Sequence, residues 1–290
     1  MTDYGHDLLF GSFVTPSAQG ARHALDLAAT ADRAGLDLVT FQDHPYQPAF
    51  LDTWTLLSYA AARTERVRLS GNVLNLPLRP PAVLARAAAT LDILSGGRFE
   101  LGIGAGGFWD AIAAMGGRRL GAGQSIEALG EAIAIIRDLW DTETRGGVRH
   151  DGRFYSVAGA KRGPKPAHDI GIWIGAYKPK ILALTGAVGD GWLPTLEYLP
   201  DGAGSLPGLN ARIDEAAAGA GRSPAAVRRL LNFMRLDGPP AESVERLAGL
   251  ALDHGISGFI VGGDDITATE RFAAEVAPAV REAVAKERGR

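Results

Sequence analysis

The chain has 290 residues and a formal net charge of -3, with 46% hydrophobic and 22% charged residues, as in an ordinary globular protein. It has no cysteine, which excludes disulfides, thiolate catalysis and cysteine-ligated metal, and it has no sustained basic run to meet nucleic acid. No apolar run approaches the roughly 20 residues of a membrane helix, and no basic stretch precedes the first apolar one as in a secretory leader, so a cytoplasmic protein with no membrane partner is expected.

Strand and helix signals alternate along the whole chain. The first strand, LLFGSFV (8–14), precedes an amphipathic helix over 21–34, and the second, DLVTFQ (37–42), precedes a helix around 54–63. VRLSGNVLN (67–75) and RFELGIGAG (98–106) flank an Ala-rich helix over 82–94, the order of a parallel crossover unit. A helix over 125–140 leads into a loop-rich excursion, 141–169, in which HDGRFYSV reads as a hairpin strand. Four more strands follow, at 170–176, 191–196, 228–236 and 257–263, each leading to a helix, at 179–188, 208–220, 241–254 and 267–286. Eight such units predict a single α/β domain over 1–290, a (β/α)8 TIM barrel with a short insertion after strand four. No nucleotide fingerprint follows the first strand, which sets aside a doubly wound sheet.

In such a barrel the chemistry sits at the C-terminal ends of the strands. Strand two ends in FQDHPYQPAF, placing Asp43 and His44 there; an imidazole in that position suits proton transfer, and the pair equally suits capping the next helix or satisfying the loop. Tyr46 and Phe50 form a pocket wall or cover the rim. Strand three ends in SGNVLN, where Asn72, Val73 and Asn75 suggest a distorted exit, either a bulge under a ligand or a plain tight turn. Strand four ends in GIGAGGFWD: Gly104, Ala105 and Gly106 allow close approach to a ligand, Phe108 and Trp109 stack on a ring or pack inside, and Asp110 binds a polyol or caps a helix. Strand five ends in Gly175, Ala176, Tyr177 and Lys178 just before a helix that opens at Pro179, where backbone N–H groups suit a phosphate. The six histidines have no metal-ligand spacing, so no metal is expected.

The runs FQDHPYQP, GNVLNLPLRPPAVLARAAATLDILSGGRFELGIGAG, WIGAYKPKILALTGAVGDGWLP and RFAAEVAPAVREAV together resemble the bacterial luciferase-like monooxygenase superfamily. The resemblance implies a barrel that binds FMN or the deazaflavin coenzyme F420 at the strand ends. It matches Asp43 and His44 to the Asp–His pair of the deazaflavin branch, with the histidine near the hydride-carrying part of the ring. It places the family's non-prolyl cis peptide at Asn72–Val73 and matches Asn75 to a ring contact. It matches Gly104, Ala105, Gly106 and Asp110 to the loop along the ring and tail, and Ala176, Tyr177 and Lys178 to the phosphate loop. Gly107 and Pro48 stand where the sugar-phosphate dehydrogenases carry an acidic residue and a tryptophan, which argues against a sugar phosphate. Tyr46, Phe108, Trp109 and Trp192 are instead expected to make an apolar, aromatic mouth. The insertion after strand seven is reduced, which suggests an open or subunit-completed site.

The expected protein is therefore an oxidoreductase moving a hydride between coenzyme F420 and an apolar or aromatic small molecule, with His44 as proton donor or acceptor. An FMN-dependent monooxygenase using reduced flavin and oxygen is the rival; a non-catalytic flavin-binding protein and a barrel with other chemistry are further alternatives. Relatives suggest a homodimer, and a flavin or F420 reductase as a partner.

Overall fold

Near-continuous apolar strands alternating with amphipathic helices have one economical solution, a parallel sheet covered by helices. The computed structural model describes residues 2–289. In chain order come β1 (Leu9–Val14), α1 (Ala21–Ala34), β2 (Leu38–Phe41), α2 (Thr53–Ala61), β3 (Arg68–Gly71), β4 (Leu74–Asn75), α3 (Pro81–Ser95), β5 (Phe99–Gly104), α4 (Trp109–Ala114) and α5 (Ala122–Trp140). There follow β6 (Val148–Asp151), β7 (Ser156–Ala160), β8 (Ile172–Ile174), α6 (Pro179–Val188), β9 (Gly191–Trp192), α7 (Leu206–Gly219), β10 (Arg228–Phe233), α8 (Pro240–His254), β11 (Gly258–Gly262), α9 (Ile266–Arg271) and α10 (Ala277–Arg288). β1, β2, β3, β5, β8, β9, β10 and β11 pair in parallel in that order, and β11 returns to β1 to close the barrel.

Strand alternation divides the apolar residues into two cores. One set, including Val39, Phe41, Leu101, Ile103, Ile172, Ile174, Trp192, Leu231 and Phe233, packs outward against the helices. The other, Leu38, Trp173, Leu193, Leu230 and Ile260, fills the barrel lumen, and Phe13 and Val73 rest on it. Glycines make room for these bulky groups: a Cβ on Gly191 would lie 2.5 Å from Trp173 Cδ1.

Several expected boundaries shift. Strand three is interrupted, β3 ending at Gly71 and β4 resuming at Leu74, with the Asn72–Val73 bond cis between them. The expected helix over 267–286 is α9, a π-helical turn (Phe272–Val276) and α10 in succession. The insertion after strand four is α5 followed by the antiparallel β6–β7 hairpin, whose turn is held by Glu131 accepting from the N–H groups of Arg153, Phe154 and Tyr155 at 2.9 Å each. Only residues 234–239 separate β10 from α8, so strand seven carries no lid.

At the N-terminal end of the barrel the buried carboxylates Asp92 and Glu100 pair with the partly exposed Arg68 and His168. His168 Nδ1 lies 2.8 Å from Asp92 Oδ1, Glu100 pairs with Arg68, and Gly171 N–H donates to Glu100 at 2.7 Å.

Candidate functional site

At the opposite end, the lumen residues Phe13 and Val73 become the floor of a cavity of about 480 Å³. The interruption of strand three is what lifts Val73 into the lumen. Its Cγ2 is wedged between two backbones: a Cβ on Gly104 would lie 2.6 Å from it, and one on Gly175 3.2 Å. Beside it Asn72 and Asn232 exchange amide hydrogen bonds, Asn72 Nδ2 donating to Asn232 Oδ1 at 2.7 Å and Asn232 Nδ2 to Asn72 Oδ1 at 3.2 Å. Asn75 is buried, and its Oδ1 has no hydrogen-bond partner among the described residues. A buried carbonyl left this way is free to accept from a ligand N–H or O–H or from water.

His44 stands on the wall. Its Nδ1 lies 2.8 Å from Tyr46 Oη, and its ring packs edge-on to Phe108 with centroids 5.5 Å apart. Nε2 has no protein partner among the described residues, so it is the nitrogen left for a ligand. Burial holds the imidazole below the ordinary histidine range, against the opposing pull of Asp43, so the ring is neutral at pH 7. Burial likewise raises the Tyr46 phenol, which stays protonated. Asp43 does not cap the next helix; Asp52 does so, accepting from Thr55 N–H at 2.8 Å. Both Asp43 oxygens are instead taken by Arg79 and the Asn75 N–H. Arg79 escaped the sequence reading, because an arginine between two loop prolines carries no motif.

The far wall is the segment before α6. Thr195 N–H donates to Tyr177 Oη at 2.9 Å, and the Trp192 indole N–H donates to Ala176 O at 2.9 Å, so this segment is pinned from both sides. Lys178, at the N-cap of α6, is exposed at the cavity edge and has no ion-pair partner among the described residues. Its charge and the first N–H groups of α6 together suit an anion.

The structure brings Asp43, His44, Tyr46, Asn72, Val73, Asn75, Gly104, Ala105, Gly106, Phe108, Gly175, Tyr177 and Lys178 around one cavity. It does not bring Trp192 there: Gly191 and Leu193 face inward, so the indole between them faces the helices and is fully buried. Trp109 covers Gly106 from outside the cavity, Phe50 reaches only the back of the His44 ring, and Ala176 is buried behind the wall. Asp110 points to solvent and pairs with Arg119. The mouth is completed by Tyr198 and Met234, which were not anticipated; they stand 63% and 54% exposed, beside Phe108 at 62%. No group of His, Cys, Asp or Glu among the described residues is placed to hold a metal, and no helix there is long and apolar enough to cross a membrane.

A parallel eight-stranded barrel with an imidazole, an unpaired amide oxygen and an anion-suited helix start around a cavity at its C-terminal mouth defines a class, the TIM barrels with a ligand-suited site at the strand ends. Comparison narrows the class. The profile of the luciferase-like monooxygenase family matches residues 2–289, and the chain belongs to that family. An F420-dependent glucose-6-phosphate dehydrogenase of Kribbella flavida is 35% identical over 182 residues, 61% of this chain and 54% of that protein. The chain thus spans little more than half the length of that relative. A 5,10-methylenetetrahydromethanopterin reductase of Archaeoglobus fulgidus is 32% identical over 261 residues, covering 88% and 71%. Among solved structures, an F420-dependent secondary alcohol dehydrogenase in complex with an F420-acetone adduct superposes with a TM-score of 0.80 over 95% of this chain and 99% of that one, at 20% identity, a likeness of fold.

Proposed function

We propose that this protein is a coenzyme F420-dependent oxidoreductase acting on an uncharged, apolar or aromatic alcohol–carbonyl pair. The observation that carries the reading is His44, neutral, its Nδ1 occupied by Tyr46 and its other nitrogen left to the cavity. When bound, the deazaflavin accepts or supplies a hydride and, with carbon in place of the central ring nitrogen, does not activate oxygen well.

The chain's own residues fit such a group. The unpaired Oδ1 of Asn75 would accept from a ring N–H, Val73, lodged against Gly104 and Gly175, would back the ring, and Lys178 with the start of α6 would take the phosphate. His44 handles the proton. In the tautomer whose Nδ1–H donates to Tyr46 Oη, Nε2 is the acceptor for the hydroxyl proton of an alcohol, and the same nitrogen returns the proton in the carbonyl-reducing direction. Phe108, Tyr46, Tyr198 and Met234 present rings and a thioether to the substrate, and among the described residues lining the cavity the only cationic side chain is Lys178, which the coenzyme would use. A second phosphate on the substrate would find no partner there.

The protein is also proposed to pair with a second copy. Val83 and Leu94, 66% and 80% exposed, line an apolar groove between α2 and α3 whose one charged lining residue, Arg86, donates to Lys161 O, and Tyr59 and Ile93 on the same two helices are 54% and 43% exposed. A largely apolar face of this kind can be covered by its own copy across a two-fold axis.

Side-by-side calorimetric titration with F420 and FMN tests the cofactor, and His44→Asn tests the proton step. F420 is expected to bind, and His44→Asn to retain binding while losing about 10²–10⁴-fold in turnover. Binding of FMN alone would move the protein to the oxygen-using monooxygenases, and undiminished turnover in His44→Asn would assign the proton to another group.

A further inference from the structure

The proton step proposed above depends on a histidine held at one angle and kept neutral, although it follows a carboxylate directly in the chain. Asp43 is buried, its side chain 1% exposed. Arg79 takes it in a two-pronged grip, Nε to Oδ2 and Nη2 to Oδ1, both at 2.9 Å. Oδ2 also accepts the Asn75 N–H at 2.9 Å. The same Nη2 reaches Asp52 Oδ2 at 3.1 Å, and Asp52 caps α2. One guanidinium therefore ties the loop after β2, the start of α2 and the segment after β4.

We propose that Arg79 is a positioning residue of the site, locking the His44 loop to the Asn75 segment through Asp43 and cancelling the Asp43 charge behind the imidazole. The inference rests on the reading of His44 as the group that moves the proton. The titratable and charged side chains facing His44 are Asp43 and Tyr46 from its own loop and Lys178 across the cavity, with Arg79 and Asp52 behind Asp43; Phe50 and Phe108 contribute only rings. Of these, Asp43 is the one that pulls His44 toward the charged form, opposing burial. Without Arg79 that buried carboxylate is uncompensated, and its field falls on the nearest group able to bind a proton. Lysine restores the charge but not the planar fork that grips both oxygens.

The test is an NMR titration of the histidines in the coenzyme-free protein, together with amide exchange at Asn75, in the parent, Arg79→Gln, Arg79→Lys and the double variant Asp43→Asn/Arg79→Gln. In Arg79→Gln the His44 midpoint is expected to move to higher pH, and in the double variant to return toward the parent. In Arg79→Lys the midpoint stays near the parent while Asn75 exchanges about tenfold faster, from loss of the grip that steadies its acceptor. A His44 midpoint that stays put or falls in Arg79→Gln would overturn the proposal. Should that variant not fold, parental Asn75 exchange in Arg79→Lys would overturn it instead. The readout needs no turnover, so it is separable from the function: undiminished turnover in His44→Asn would remove the proton step and leave the Arg79 result standing.

Discussion

Val73 sits between two inward-facing glycines, which makes the floor of the cavity testable by adding one carbon at a time. A Cβ on Gly104 would stand 2.6 Å from Val73 Cγ2, and one on Gly175 3.2 Å, while one on Gly107 meets nothing within 4 Å. Carbon atoms rest at about 3.5–4.0 Å, so Gly104→Ala forces a displacement of roughly 1 Å and Gly175→Ala a few tenths. Overpacking of the first kind costs about 1–3 kcal/mol, roughly 5- to 150-fold in an equilibrium constant. Val73 is pinned below by the lumen cluster, so the relief is upward, into the space proposed for the coenzyme ring. Titration of each variant with F420 and thermal unfolding without it should rank the losses Gly104→Ala, then Gly175→Ala, with Gly107→Ala close to the parent in both. If Gly104→Ala binds F420 within about twofold of the parent and melts at the same temperature, Val73 is not the wall of the site.

Three further outcomes are expected. Lys178→Glu should weaken F420 binding about tenfold at low salt and less at 0.5 M, since an exposed charge acts through screened solvent; calorimetry at two ionic strengths reads both. Leu94→Arg should convert the proposed dimer to a monomer by light scattering, because it adds a charge to the apolar face proposed for a second copy; a parent that is monomeric would remove the pairing. His168 is raised above its ordinary range, chiefly by its hydrogen bond to Glu100. A group raised on folding stabilises fully below its unfolded pKa, and the contribution fades as pH rises through the folded one. The urea midpoint should therefore fall between neutral and mildly alkaline pH, and His168→Asn should flatten that slope.

Much of the candidate site was legible because barrel geometry converts position in the sequence into position in space. Whatever follows the end of a strand lies at the C-terminal rim, so the Asp43–His44 pair, the strand-three exit and the Gly-Ala-Gly turn were placed without knowing any contact. Parity was harder. Trp192 was expected at the mouth from its aromatic character, but with β9 reduced to Gly191–Trp192 the pattern was too short to show which face it takes. Tyr198 was missed because it lies in a short 3-10 turn past β9 with no periodicity to read, and Met234 because it was read as part of strand seven (228–236), whereas β10 ends at Phe233.

The sequence by itself determined the strand–helix alternation, the eight units and the end of the barrel at which chemistry gathers, because these depend on local apolar period and on turn residues. Only the tertiary structure decided which atoms meet. The pairing of Arg79 with Asp43 spans 36 residues and that of Asn72 with Asn232 spans 160, and no local preference of either partner encodes the other. The tertiary structure brings them together, and it also decides the proton affinity of His44, where burial outweighs the pull of the neighbouring Asp43.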